Sequence, residues 1–122
     1  MRLLPIFSLA ASILTCPALS SAMDIALYKK LRAESAQSAG NSTLRLYFRG
    51  LQDGLEYSNA YLREAGTTQL FCAPETIALN VENYLQFADE ALAAAREGPL
   101  KESYPIAPIL VQTLRSKMPC PP

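Results

Sequence analysis

The sequence has no histidine and no tryptophan, and its 122 residues carry equal numbers of basic and acidic side chains, eleven of each. Without histidine there is no Ser-His or Cys-His nucleophilic pair, no histidine metal ligand and no ordinary proton shuttle at neutral pH. Because the charge is balanced and no basic tract occurs, we expect no nucleic-acid partner. The length indicates one domain. These absences argue against a catalytic function.

Residues 1–22 have the pattern of a secretory signal peptide. A positive charge at Arg2 precedes a mostly apolar stretch, residues 3–14, which is too short to span a bilayer. Small residues at 20–22 then supply the −3 and −1 positions of a cleavage site. We predict that this segment is removed on export, leaving residues 23–122 as a periplasmic domain without a membrane span.

The predicted export determines which cysteines remain and how they are paired. Cys16 is removed with the signal peptide; a lipoprotein signal at Cys16 is the alternative, but Thr15 fits the preceding position poorly. In an oxidising compartment the remaining pair, Cys72 and Cys120, is typical of a disulfide. A loop of this length predicts a stabilisation of about 4 kcal/mol. Nothing resembles a C-x-x-C redox pair, and two paired thiols leave no metal site.

Hydrophobic periodicity predicts four helices and no sheet. Asp24 is expected to cap the first helix, Gly66 to end the second, and Pro74 to open the third, where its missing N–H is not needed. The predicted helices are residues 24–34, 42–65, 74–96 and 105–117. The fold class is therefore all-α, a small bundle of four main helices in which the disulfide ties the start of the third helix to the C-terminal tail.

The apolar positions recur at helical spacing along each predicted helix. The positions expected to face the core are Ile25, Tyr28, Leu31, Leu44, Phe48, Leu51, Leu55, Leu62, Ile77, Val81, Tyr84 or Leu85, Ala88, Leu92, Ile106, Leu110, Leu114 and Lys117, with Leu27 as a further candidate.

The second helix carries an unusual stripe. Tyr47, Gly50, Gly54, Tyr57 and Tyr61 lie on one face in steps of three and four residues. A glycine inside a helix costs about 1 kcal/mol relative to alanine, so a compensating contact is expected. Either another helix packs closely over the two glycines, or the face meets a second copy or a partner, with the tyrosines as anchors.

Acidic residues form no evident catalytic pair. Asp53 and Glu56 lie one turn apart, and Asp89 and Glu90 are adjacent. None lies in an apolar setting that would raise its pKa, so we expect solvated helix faces. The sequence also has no glycine-rich phosphate loop. We therefore predict no catalytic residues, no metal ligands, no cofactor and no enzymatic activity.

The connection at residues 96–104 is polar, mixed in charge and stiffened by proline, and it includes two apolar residues that look exposed. A stiff loop fixed on a bundle loses less entropy when it inserts into a partner. A plain helix connection is the simpler interpretation, and residues 66–70 are an alternative contact site. The candidate contact residues are Glu97, Leu100, Lys101, Glu102 and Tyr104.

Several short motifs together resemble the Rap/Tai family of type VI secretion immunity proteins, over about residues 44–121. In chain order they are Tyr47-x-x-Gly50-x-x-Asp53-Gly54, Phe71-Cys72-x-Pro74, Tyr84-Leu85, the Leu110 to Leu114 stretch, and Met118-Pro119-Cys120. The resemblance implies a small all-helical periplasmic protein, often a dimer, that binds a peptidoglycan amidase effector and blocks its active site. The alternative is a periplasmic helical adaptor or chaperone-like binding protein without an effector.

Overall fold

The computed structural model describes residues 22–37, 42–95 and 100–122. These residues form four α-helices, and no strand occurs among them. The helices are α1 (Ile25–Gln37), α2 (Ser42–Glu64), α3 (Val81–Ala94) and α4 (Ile106–Lys117). The predicted all-α bundle is confirmed. Residues 1–21 of the predicted signal peptide, with the Cys16 alternative, and the contact residue Glu97 lie outside the described residues.

Two helix ends are formed by the residues that the sequence indicated. The Asp24 carboxylate accepts a hydrogen bond from the Leu27 N–H at 2.8 Å and so caps α1. Gly66 follows α2 with a φ of 67°, the left-handed conformation that glycine adopts at low cost. Its N–H donates to the Arg63 carbonyl at 3.1 Å, and the Thr67 N–H donates to the Leu62 carbonyl at 2.9 Å. These two bonds are the pair that defines a Schellman motif.

The predicted start of the third helix at Pro74 is wrong. Pro74 opens a turn, in which its carbonyl accepts from the Ile77 N–H at 2.9 Å. The helix begins at Val81 because Asn80 forms a capping box with Asn83: each side chain accepts a hydrogen bond from the backbone N–H of the other. Proline is only tolerated at a helix start, whereas the capping box provides hydrogen-bond partners for backbone N–H groups that would otherwise be unpaired. The capping box therefore determines that α3 begins at Val81.

The core lies between α3 and the other helices, and most of the expected apolar positions occupy it. Its fully buried large side chains are Tyr28, Leu44, Phe48, Tyr84, Leu85, Ile106, Leu110 and Leu114. Three expected core positions are wrong. Leu27 and Ile77 are 44% and 51% exposed, and Lys117 is exposed at the end of α4. Ile77 lies in the turn before α3, and the Lys117 ammonium pairs with Glu90 at 2.6 Å, a contact typical of a surface side chain.

The predicted disulfide joins Cys72 and Cys120, 48 positions apart, with the two Cα atoms 4.8 Å apart. Because α3 begins later than expected, Cys72 lies within the α2–α3 connection and not at a helix start. The disulfide therefore ties this connection to the C-terminal tail, and the Cys72 N–H donates to the Met118 carbonyl at 2.9 Å beside it. A disulfide is consistent with an oxidising compartment. In the described part of the chain, no helix combines the length and the hydrophobicity that crossing a bilayer requires.

Candidate functional site

Residues 100–104, here called the anchored segment, are the described part of the predicted contact loop. This segment lies across the N-terminus of α1. The Ile25 N–H donates to the Tyr104 carbonyl, and the Ala26 N–H donates to the Glu102 carbonyl, each at 3.0 Å. Together with the Asp24 cap, these bonds satisfy the first three N–H groups of α1, which have no partner inside the helix. The backbone of the segment is therefore held by contacts distant in sequence.

The side chains of the anchored segment divide into two kinds. The Glu102 carboxylate pairs with the Lys29 ammonium at 3.0 Å, at a site where both side chains are more than half exposed. Such a surface pair contributes less than about 1 kcal/mol. Leu100 and Tyr104 are 40% and 44% exposed although they are large and apolar. Both line a cleft of about 440 Å³ between the end of α3 and the start of α4, which Pro108 also lines. Lys101 is exposed next to them.

The alternative contact site at residues 66–70 is a less suitable one. Gly66 and Thr67 form the end of α2, and the Leu70 N–H donates to the Asn59 side chain at 2.7 Å. Leu70 is half-buried against the core and lines a depression of about 530 Å³ with Tyr57, Tyr61 and Leu62. Residues 100–104 thus present two exposed apolar side chains of their own, whereas residues 66–70 contribute only the half-buried Leu70.

The stripe on α2 is here called the tyrosine face (Tyr47, Gly50, Gly54, Tyr57 and Tyr61), and apart from Tyr47 it points away from the core. Tyr57 and Tyr61 are 76% and 72% exposed. A Cβ atom added to either glycine of the face would have no described atom within 4 Å, apart from the helix's own backbone. Close packing of another helix of the same chain over these glycines is therefore not found among the described residues. The contact with a second copy or a partner stays a prediction.

Tyr47 differs from the other two rings of the tyrosine face. It is half-buried, and its centroid lies 5.9 Å from that of the buried Phe48 in an edge-on arrangement. One end of the face is therefore joined to the core, whereas the glycines at its centre have no described atom near them outside the helix. At the other end, Tyr57 and Tyr61 line a shallow depression with Leu62 and Leu70. A rigid aromatic side chain of this kind loses little entropy when it meets a partner.

A polar cluster between α1 and α3 was missed by the sequence analysis. The Tyr28 hydroxyl donates to one Asp89 oxygen at 2.6 Å, and the Arg32 guanidinium donates to the other through Nε and Nη2, at 3.1 and 2.8 Å. Burial, reinforced by the bond to Asp89, raises the pKa of Tyr28 above its ordinary value. The bond to Asp89 likewise raises the pKa of Arg32. The Asp89 side chain is 41% exposed, as expected for a solvated face, but both of its oxygens are also engaged in joining the two helices.

The sequence indicates only the part of this cluster that lies on α1. Tyr28 and Arg32 are four residues apart, so helical periodicity puts them on the same side of α1. Nothing in the spacing identified a carboxylate 57 residues beyond Arg32 as their shared partner. Because both oxygens of Asp89 accept from donors on α1, the arrangement joins α1 to α3.

No group of three Cys, Asp or Glu side chains that could hold a metal ion occurs in the ranges 22–37, 42–95 and 100–122. When the chain is compared with models of protein families, with curated protein sequences and with solved structures, none of them matches it. The fold and the exposed surfaces therefore define the class: an all-α, disulfide-linked protein whose described surface offers apolar contact residues on two separate elements.

Proposed function

We propose that this protein is a periplasmic immunity protein that binds a peptidoglycan amidase effector of type VI secretion and blocks its active site. The observation that supports this most is the anchored segment, where Leu100 and Tyr104 remain exposed on a backbone that is fixed to α1. Exposed apolar side chains usually mark an interaction surface when they lie together. The motif resemblance supplies the class of partner.

Inhibition of this kind requires a surface that fits the amidase cleft and no catalytic group in the inhibitor. Leu100 and Tyr104 enter or cover the amidase cleft, while Lys101 and Glu102 orient the approach through their charges. Because the carbonyls of Glu102 and Tyr104 are already hydrogen-bonded to α1, little further ordering of the segment is needed on binding. The disulfide keeps the bundle folded in an oxidising compartment where amidase effectors act.

The test is rescue of cells that export an amidase. The protein is co-exported with each member of a panel of type VI amidase effectors, survival is scored, and hydrolysis of purified peptidoglycan is then measured with and without the purified protein. We expect rescue from at least one effector and stoichiometric inhibition of its hydrolysis. The absence of both for every amidase in the panel would overturn the proposal.

The site is tested with the double variant Leu100→Ala/Tyr104→Ala. Central apolar anchors commonly contribute 2 kcal/mol or more, so we expect the inhibition constant to rise about thirtyfold or more. The matched control is Ile77→Ala, which removes a similarly exposed apolar side chain from the α2–α3 connection. An inhibition constant unchanged by the double variant would exclude the anchored segment while leaving the partner class in place.

A second candidate function, a helical adaptor or chaperone-like binder, is favoured by one observation. A groove of about 690 Å³ runs between α2 and α4, with Leu51, Leu55, Pro108 and Val111 along it. An apolar groove between helices suits an amphipathic helix of a client protein. Suppression of aggregation of several unrelated unfolded proteins by the purified protein, without inhibition of any amidase, would favour this function over the first.

A further inference from the structure

A pocket of about 380 Å³ lies between the second half of α2 and the connection that leads to α3. Its wall on α2 consists of residues that recur at helical spacing and share one face of the helix, namely Glu56, Asn59, Ala60 and Arg63. Its other wall is formed by residues of the connection, between positions 69 and 79. A volume of this size is near the lower limit for ligand sites, so the pocket suits a small molecule.

The two walls of this pocket are held together by contacts that do not depend on a ligand. The Asn59 side chain accepts from the Leu70 N–H at 2.7 Å and donates to the Phe71 carbonyl at 2.8 Å. The disulfide fixes the same connection one residue further on, at Cys72. The pocket is therefore formed before a ligand arrives, which is usual for small-molecule sites.

The two charged residues that line this pocket carry opposite charges. Glu56 and Arg63 are seven residues apart, which corresponds to about 10.5 Å along the helix axis. This separation is too large for the i,i+4 pairing that joins Arg49 and Asp53 earlier on α2. In the described part of the chain, neither Glu56 nor Arg63 forms an ion pair with any other residue. A ligand that carries both charges would pair with both residues.

The Glu56 carboxylate is positioned by a buried residue beside the pocket. The Gln52 side chain donates to Glu56 Oε1 at 2.9 Å and to the Leu79 carbonyl at 3.2 Å, and both acceptor residues line the pocket. The Gln52 oxygen itself is buried and has no hydrogen-bond partner among the described residues. Burial, followed by the nearby Glu56 carboxylate, raises the pKa of the Tyr84 hydroxyl above its ordinary value. A buried polar atom without a partner requires an explanation other than stability, and the fixing of a carboxylate at a binding site supplies one.

We propose that this pocket binds a free dipeptide, whose ammonium group pairs with Glu56 and whose carboxylate pairs with Arg63. An extended dipeptide spans up to about 7 Å, and a charged hydrogen bond of about 2.8 Å at each end extends its reach to roughly 12 Å. This reach covers the two helical turns between Glu56 and Arg63. The reach of a single amino acid, roughly 9 Å, does not cover them.

The remaining groups of the pocket fit the centre of a dipeptide. Gln69 is a half-buried residue of the lining, and a side-chain amide can both donate to and accept from a peptide bond. Three alanines also line the pocket and leave room for small apolar side chains of the ligand. The guanidinium of Arg63 matches the two oxygens of a terminal carboxylate. The expected ligand is therefore a dipeptide of small apolar residues in which both termini are free.

The dipeptide site is separate from the surface proposed to block an amidase. The described lining of the pocket comes from α2 and the α2–α3 connection and includes no residue of the anchored segment. The experiment therefore uses the purified, disulfide-linked protein without an effector. A failure to bind dipeptides leaves the proposed inhibition in place, and a failure to inhibit amidases leaves the dipeptide site in place.

The test is a titration with L-alanyl-L-alanine, followed through the backbone amide signals of the isotope-labelled protein by NMR. We expect saturable shifts around the pocket, with a dissociation constant in the low millimolar range or below. N-acetyl-L-alanyl-L-alanine and L-alanyl-L-alaninamide each lack one terminal charge, and each should bind about tenfold more weakly or worse. Equal binding of the free dipeptide and either blocked form would overturn the proposal, as would the absence of saturable shifts up to tens of millimolar.

Two variants assign the two ends of the ligand. Glu56→Gln retains the oxygen that accepts from Gln52, so the melting temperature should not change, whereas the preference for the free dipeptide over its N-acetylated form should disappear. Arg63→Gln should instead remove the preference for the free carboxylate over the amide. The matched controls are Glu64→Gln and Arg49→Gln, which remove the same charges from α2 outside the pocket and should retain both preferences. If Glu56→Gln and Arg63→Gln also retain both preferences, the dipeptide does not bind between these residues.

Discussion

The inner and outer sides of α2 differ in the contacts that their side chains make. On the inner side, Phe48 is fully buried and lies 5.6 Å from the Tyr28 ring, and the buried Asn59 binds the α2–α3 connection. On the outer side, the two glycines of the tyrosine face have no described atom near them outside their own helix, and Tyr57 is 76% exposed. The inner residues are thus explained by folding, whereas the contacts of the described residues do not explain the outer ones. This difference predicts opposite responses to substitution.

The largest expected effect is on the inner side. Phe48→Ala removes a fully buried ring and leaves a cavity, which should lower the free energy of unfolding by about 4 kcal/mol. Tyr57→Ala, the matched change on the outer side, should alter it by less than about 0.5 kcal/mol. Urea denaturation of both variants gives the comparison. Equal losses would show that Tyr57 packs against the protein's own chain.

The next effect concerns the connection that covers the inner side. The double variant Cys72→Ser/Cys120→Ser removes the link between this connection and the tail and should lower the free energy of unfolding by about 3–4 kcal/mol. Thermal unfolding of the variant, with the reduced natural protein as a second reference, checks the value. The double variant and the reduced natural protein should melt at nearly the same temperature. If the reduced protein melts like the oxidised one, the disulfide does not stabilise this side.

Asn59→Ala tests the same side at a single polar residue. The Asn59 amide donates to the Phe71 carbonyl at 2.8 Å, and its oxygen accepts from the Leu70 N–H at 2.7 Å. Because the substitution leaves both backbone groups without this partner, we expect a loss of about 2–3 kcal/mol. Ser58→Ala is the control, since the exposed Ser58 hydroxyl bonds only to its own helix, at the Gly54 carbonyl. A loss no larger than that of the control would show that water replaces the amide.

The smallest effect is expected at two glycines, where substitution by alanine should change the free energy of unfolding in opposite directions. Gly54→Ala on the outer side should raise the free energy of unfolding of the monomer by about 1 kcal/mol, because alanine is the better helix residue and meets no described atom. Gly66→Ala should lower it by about 1 kcal/mol, because Gly66 has a φ of 67°. A shift of about 4–8 °C in the melting temperature is expected for each kcal/mol. A stability loss at Gly54 would mean that something packs there in the monomer.

The sequence predicted the helices well where a local signal had no competitor. Asp24 and Gly66 each satisfy backbone groups of the helix next to them, so their effect does not depend on the rest of the fold. The start of α3 was missed because Pro74 and Asn80 are both acceptable start signals, and the capping box of Asn80 with Asn83 decides between them. The connection before this box is also held against α2, since the Leu79 carbonyl accepts from the Gln52 side chain at 3.2 Å.

The candidate sites show the same division. Leu100 and Tyr104 were recognised as apolar residues in a polar segment, and both are exposed. The attachment of this segment to α1 was not predicted, because nothing in the sequence indicates that the carbonyl of residue 104 accepts a hydrogen bond from the N–H of residue 25. The contacts of Asp89 were missed for the same reason: its partners, Tyr28 and Arg32, come from another helix.

By itself, the sequence determined the all-α class, the pairing of Cys72 with Cys120 and the spacing of the tyrosine face. These follow from local periodicity, from the count of cysteines and from the fixed geometry of a helix. Only the tertiary structure decided which sides are covered. It buried Phe48, engaged Asp89, fixed residues 102 and 104 to α1, and left Tyr57, Tyr61 and both glycines of that face uncovered. Burial depends on contacts between residues distant in the chain, and no local pattern specifies those contacts.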